Sequence, residues 1–165
     1  MIHHVSISAR QPQHVAEVLA EIMHGHCHPF PGQIADSFMA VSGDEHGTMV
    51  EVYPEDTTLK PGVTDNEQVT GLRSQPAPAT VPFHFLLSVP ASAEEIERIG
   101  TREGWRTRLF GRGPRGQKPF FHVIEFWVEN RLMIELAPET MIGEYTDVMG
   151  SAAYESRVGR ATTAH

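Results

Sequence analysis

Apolar and polar positions alternate in two rhythms along this chain, and the rhythms come in the same order twice. Residues 2–8, Ile-His-His-Val-Ser-Ile-Ser, alternate as a half-buried strand. His3, Val5 and Ile7 share one face; Ile2, His4, Ser6 and Ser8 share the other. Val15, Val18, Leu19, Ile22 and Met23 then fall at helical spacing behind Pro12, which suits a first turn. Gly25 is the expected stop. Three short strands are expected over 26–30, 37–42 and 48–53, the last two joined by a turn at 43–47. This half reads βαβββ.

Residues 54–80 carry Pro61, Gly62, Gly71, Pro76 and Pro78 with no apolar period, and are expected to be a linker. The pattern then restarts. A strand is expected over 82–89. Ser92-Ala93-Glu94-Glu95 forms a capping box that opens a helix burying Ile96 and Ile99, with Gly104 at its end. Strands follow over 105–110, 120–128 and 131–137, separated by a Gly/Pro/Arg loop at 111–118 and a tight turn at Glu129-Asn130. This half is again βαβββ. Met141, Tyr145, Val148, Met149 and Ala152 then make a helical stripe expected to pack on the domain, before a frayed tail at 156–165.

The repeat extends to individual residues. Met49-Val50-Glu51-Val52-Tyr53-Pro54-Glu55 matches Met133-Ile134-Glu135-Leu136-Ala137-Pro138-Glu139 in pattern. Aligning the first strands sets His4 on His84 and Ser8 on Ser88. His4 to Glu51 spans 47 residues and His84 to Glu135 spans 51, the difference falling in the 111–118 loop, where insertions are tolerated. The organisation read from this is a first module over 1–54, a linker over 55–80, a second module over 81–138, and a C-terminal helix and tail over 139–165.

Bulk properties narrow the function classes. The 165 residues suit one domain or two small modules sharing a core. A formal net charge of -8 argues against nucleic acid as a partner. No run approaches the roughly 18 apolar residues of a membrane span, and no signal peptide precedes the first strand, so a cytoplasmic location is expected. The single cysteine, Cys27, excludes an intrachain disulfide. Ten histidines beside 13 Lys+Arg are a first hint of metal chemistry.

The duplicated residues sharpen that hint. Taken singly, a histidine or glutamate in a strand usually faces solvent. Two matched His/Glu pairs at near-equal spacing point instead to a site on the internal axis of a duplicated fold. His4, Glu51, His84 and Glu135 supply two imidazoles and two carboxylates, a suitable set for a divalent first-row metal with positions left open for water or substrate. Such a metal acts as a Lewis acid on adjacent substrate oxygens, beside a carboxylate base.

At these residues the sequence resembles the vicinal oxygen chelate superfamily, over residues 2–138. That family places a histidine in its first strand, an acid or amide in the fourth, a histidine in the fifth and a glutamate in the eighth. The order His4/Glu51/His84/Glu135 is similar to bacterial glyoxalase I. Epimerases of the family typically carry glutamine where Glu51 stands, and its iron dioxygenases usually use two histidines and one glutamate. The first helix lacks the Phe-Tyr pair of many glyoxalases, and Glu129-Asn130 replaces their usual Asp-Pro-Asp-Gly turn. The resemblance implies an α+β fold in which two tandem βαβββ modules form a curved mixed β-sheet cup with helices outside, plus a C-terminal helix. It implies one divalent metal per site, with nickel, cobalt or zinc favoured over iron or manganese. The implied reaction is that of a glyoxalase I-like lyase or isomerase on a small molecule with vicinal oxygens, including thiol adducts, through an enediolate. Glu135 is then the base, with Glu51 as the second candidate. A homodimer is also implied. The alternatives are an extradiol dioxygenase or epimerase of the same superfamily, or a metal-free small-molecule-binding protein of the resistance type.

Several further residues are candidates for the surroundings of such a site. Met49, Tyr53, Leu86 and Met133 share strand faces with the four proposed ligands and are expected to line the cavity. His122 and Glu125, three apart on a strand, face opposite sides, so at most one looks inward. Arg102, Arg106, Arg108, Arg112 and Arg115 gather positive charge near the 111–118 loop. They are either a solvated rim or a clamp for a substrate carboxylate or phosphate, with Arg108 the chosen candidate. His24, His26 and His28 have a metal-ligand spacing but no carboxylate nearby in sequence, and read as a surface cluster.

Overall fold

Period-two and period-3.6 segments become strands and helices largely where their patterns place them. The computed structural model describes residues 2–30, 34–60, 70–73, 83–113 and 117–150. Contacts divide the chain into two compact units. The first comprises Met1–Pro82 with Val128–Leu132; the second comprises Phe83–Trp127 with Met133–His165.

In the first unit, β1 (His4–Ala9) leads through α1 (Pro12–Ile22) to β2 (His26–Pro29), β3 (Phe38–Val41) and β4 (Met49–Pro54). The sheet order is β1-β4-β3-β2. The helix carries the chain from one sheet edge to the other, and a meander returns it. That is why β4 meets β1 in parallel while the other pairs are antiparallel. Val15, Leu19 and Ile22 of α1 are fully buried, as are Val52 and Ala40 of the sheet. Each large aliphatic side chain removed from water in this way contributes roughly 1.5–3 kcal/mol.

The second unit repeats the design. It consists of β7 (Phe85–Val89), α2 (Ala93–Glu103), β8 (Thr107–Arg112), β9 (Phe121–Val128) and β10 (Leu132–Pro138), with sheet order β7-β10-β9-β8. Again the outer pair, β7 with β10, is parallel. Ser92 caps α2 by accepting the Glu95 amide, and Gly104 closes it in the left-handed conformation at φ 66°. Ile96, Ile99, Phe126, Ile134 and Leu136 form the core, with Trp105 edge-on to Phe126 at 5.5 Å. The C-terminal stripe is helical as expected, in α3 (Glu139–Met149), where Tyr145 stacks edge-on against Phe121. Ala152 and the tail over 156–165 lie outside the described residues.

Three local expectations change. The segment expected as a linker contains a two-stranded antiparallel sheet, β5 (Thr57–Lys60) with β6 (Thr70–Arg73), and an Arg73–Asp56 ion pair beside it. Its Thr-Thr-Leu-Lys and Thr-Gly-Leu-Arg strands have β-branched residues but only one apolar side chain each; Leu59 and Leu72 are both about half exposed. Second, α1 ends before Gly25. His24 takes the left-handed turn at φ 50°, and Gly25 is needed because a Cβ there would overlap the Val41 carbonyl. Third, Gly111 and Arg112 are strand rather than loop, pairing with His122 and Phe121. A Cβ on Gly111 would overlap the Pro119 ring, so the glycine marks a close approach.

Candidate functional site

Strand register decides which polar residues share a face. In the first unit His4 lies opposite Met49, Ser6 opposite Glu51 and Ser8 opposite Tyr53. The alternate set, Val5, Ile7, Val50 and Val52, belongs to the other face, where Ile7, Val50 and Val52 join the buried core. Glu51 is the polar exception to that burial, only 9% exposed. Its cost in desolvation is offset by two hydroxyl donors. Ser6 Oγ donates to Oε2 at 2.8 Å and Tyr53 Oη donates to the same oxygen at 3.4 Å. The other oxygen, Oε1, faces His4 Nε2 at 4.0 Å. Burial, and then the neighbouring Glu51 carboxylate, push the Tyr53 phenol above its usual range, so it stays a donor at neutral pH.

The second unit places its own pair in the same register. Glu135 lies opposite Leu86, next to the pair Ile134 and Phe85 at which that ladder begins. His84 is exposed and sits immediately before β7. The surroundings of Glu135, however, differ from those of Glu51. Arg112 reaches it from β8, donating from Nε at 3.0 Å and from Nη2 at 2.6 Å, both to Oε1. The same Nη2 donates to Glu125 Oε1 at 2.8 Å, and Trp127 Nε1 donates to Glu125 Oε2 at 3.2 Å. The result is a half-buried chain, Trp127–Glu125–Arg112–Glu135, with two carboxylates around one guanidinium. Among the described residues, no three His, Cys, Asp or Glu side chains gather as a group that could hold a metal ion.

In fold the chain is similar to solved structures. A fosfomycin resistance protein from Listeria monocytogenes superposes with a TM-score of 0.50 at 12% identity, over 87% of this chain and 96% of that one. The chain has the vicinal oxygen chelate fold. A lactoylglutathione lyase from Agrobacterium tumefaciens aligns at a TM-score of 0.48 and 12% identity, over 84% of this chain and 93% of that one. No protein-family model and no curated protein matches the sequence.

Within this vicinal oxygen chelate fold the remaining candidates fall as follows. Met49, Tyr53, Leu86 and Met133 are half-buried, and Met49, Tyr53 and Met133 alternate with buried residues along their strands. Glu125 shares its strand face with Arg108, its partner across β8–β9, and reaches Glu135 through Arg112. His122, of opposite parity, pairs its ring and backbone amide with Glu144 of α3 at 2.9 Å each. Arg108 turns its guanidinium back onto the Thr107 carbonyl. Arg102 pairs with Glu103, and Arg115 lies outside the described residues. His26 and His28 stand in register with Val41 and Met39, which pair in turn with Met49 and Glu51. They therefore belong to the Glu51 face, at the far edge of that sheet, with ring centroids 6.4 Å apart. Arg112 is the residue whose importance sequence reasoning did not single out from its cluster.

Proposed function

We propose that this protein is a divalent-metal-dependent enzyme of the glyoxalase I type, acting on a small molecule with vicinal oxygens through an enediolate. The observation that carries this reading is the His4–Glu51 pair. A nearly buried carboxylate is oriented by Ser6 and Tyr53 through one oxygen, and its other oxygen faces an imidazole nitrogen. Fixed orientation of a carboxylate beside a histidine is what a metal-ligand pair requires of its supporting residues. The second copy, His84 and Glu135, repeats the strand positions and offers the same donor types, which suit nickel, cobalt or zinc.

When bound, the cation supplies positive charge against the negative charge that develops on adjacent substrate oxygens. The remaining work belongs to the chain. His4 and His84 donate imidazole nitrogens, and Glu51 is held ready by two hydroxyls. Glu135 accepts a proton from the substrate carbon and returns it to the neighbouring one. Met49, Tyr53, Leu86 and Met133 offer a partly apolar lining.

Metal analysis of protein purified without a histidine tag tests the reading directly. Stoichiometric nickel, cobalt or zinc is expected, and His84→Ala is expected to remove most of it. Turnover of the methylglyoxal–glutathione hemithioacetal then tests the reaction. A His84→Ala protein that keeps one metal at unchanged affinity sinks the ligand assignment. A metal-free binding protein is the second reading, favoured by the guanidinium already bound to Glu135. It predicts wild-type protein that takes up no divalent metal.

A further inference from the structure

The two halves of the repeat treat their glutamates differently, although strand register puts them in equivalent places. Glu51 receives two neutral hydroxyls and faces a histidine. Glu135 receives a full positive charge through two N–H groups on one oxygen. The side chains of Arg112 and Glu135 are 29% and 13% exposed, so the pair is only partly screened by solvent. Glu125 adds a second carboxylate to the same guanidinium, and the Trp127 indole fixes it there. Two carboxylates brought onto one side of a sheet repel each other unless a cation stands between them. In this structure that cation is part of the chain.

We propose that Arg112 is a built-in counter-cation for Glu135, and that it competes with a divalent metal for this carboxylate. The inference rests on the assignment of Glu135 as a ligand under the proposed function. A cation approaching Glu135 Oε1 meets an oxygen that already accepts two hydrogen bonds, so the guanidinium must release it. Arg112 does not then become an unpaired charge, because its bond to Glu125 holds it nearby. Glu125 is thus the resting partner of the displaced arginine, and Arg112 and Glu125 are positioning residues that set how readily Glu135 is available. The arrangement protects the fold when no metal is bound, at the expense of metal affinity.

Cobalt(II) titration of the full-length protein, by calorimetry and by competition with a chromophoric chelator, tests this. Arg112→Met removes the charge while keeping a chain of similar length. It is expected to bind cobalt about tenfold more tightly than wild type, the scale on which residues around metal ligands alter affinity. Arg112→Gln is expected to give the same gain, which guards against a folding defect peculiar to one substitution. The gain is expected to vanish in Arg112→Met/Glu135→Gln, because the competed carboxylate is gone. A merely structural arginine would give weaker cobalt binding in both single variants, as would an arginine that supports the site; either result overturns the proposal. So does a gain that persists without the Glu135 carboxylate. The readout separates the two ideas. Cobalt binding by Arg112→Met but not by wild type supports the counter-cation and refutes the metal-enzyme reading. Cobalt binding by wild type that Arg112→Met leaves unchanged does the reverse.

Discussion

Ser6 shows how a single hydroxyl acts on a site that it need not touch. Its bond to Glu51 Oε2 fixes which carboxylate oxygen faces His4. We expect Ser6→Ala to weaken cobalt binding about tenfold, measured by chelator competition, with a stability loss of about 1 kcal/mol in urea titration. Unchanged affinity would detach Ser6 from the site. The face of Ser6 was legible in the sequence, because strand alternation alone groups His4 with Ser6 and Met49 with Glu51. Its hydrogen bond was not, because that depends on the parallel register of β1 with β4. Arg112 makes the same point more strongly. Arg108 and Arg112 have the same parity on β8, so no periodicity distinguishes them. Only the fold turns one onto Thr107 and the other onto Glu135.

Elements meet through glycines whose need was only partly visible. Gly25 and Gly100 both stand where a Cβ would overlap a neighbour, but the neighbours differ. At Gly25 the obstacle is the Val41 backbone carbonyl on β3, which cannot move without disturbing the sheet. At Gly100 it is the Thr107 side chain at the start of β8. Gly25→Ala is therefore expected to cost about 3 kcal/mol or more by urea unfolding, and Gly100→Ala about 1–2 kcal/mol, with part of that offset by better helix propensity. Equal losses would argue against the difference in yielding between backbone and side chain. The sequence put the helix stop at Gly25, two residues past the Met23 cap, and missed why a glycine is needed there, since a close approach between segments leaves no periodic trace. The β5–β6 hairpin escaped for a related reason. Its four-residue strands hold one leucine each, so they lack the apolar alternation by which a strand is recognised.

At the scale of the molecule, the proposed function links metal uptake to stability. A ligand that binds only the folded chain stabilises it by about 2.7 kcal/mol at one hundred times its dissociation constant. Chelator-treated protein is expected to melt several degrees lower than cobalt-loaded protein, and the gap should shrink in His84→Ala. A melting temperature indifferent to metal in wild type would count against the site. The tip of the β9–β10 hairpin adds a feature that no repeat predicts. Val128–Leu132 groups with the first unit, where Glu129, at φ 49°, accepts the Arg10 and Gln11 amides at the start of α1, and Arg131 pairs with Glu55. By itself the sequence determined the two βαβββ halves, the faces of their strands and the matched His/Glu pairs, because burying one side of a sheet or helix stamps a period on the chain. Only the tertiary structure decided that Ser6 and Tyr53 orient Glu51 while Arg112 holds Glu135. Hydrogen bonds and ion pairs between strands obey register and distance, which no spacing within one strand records.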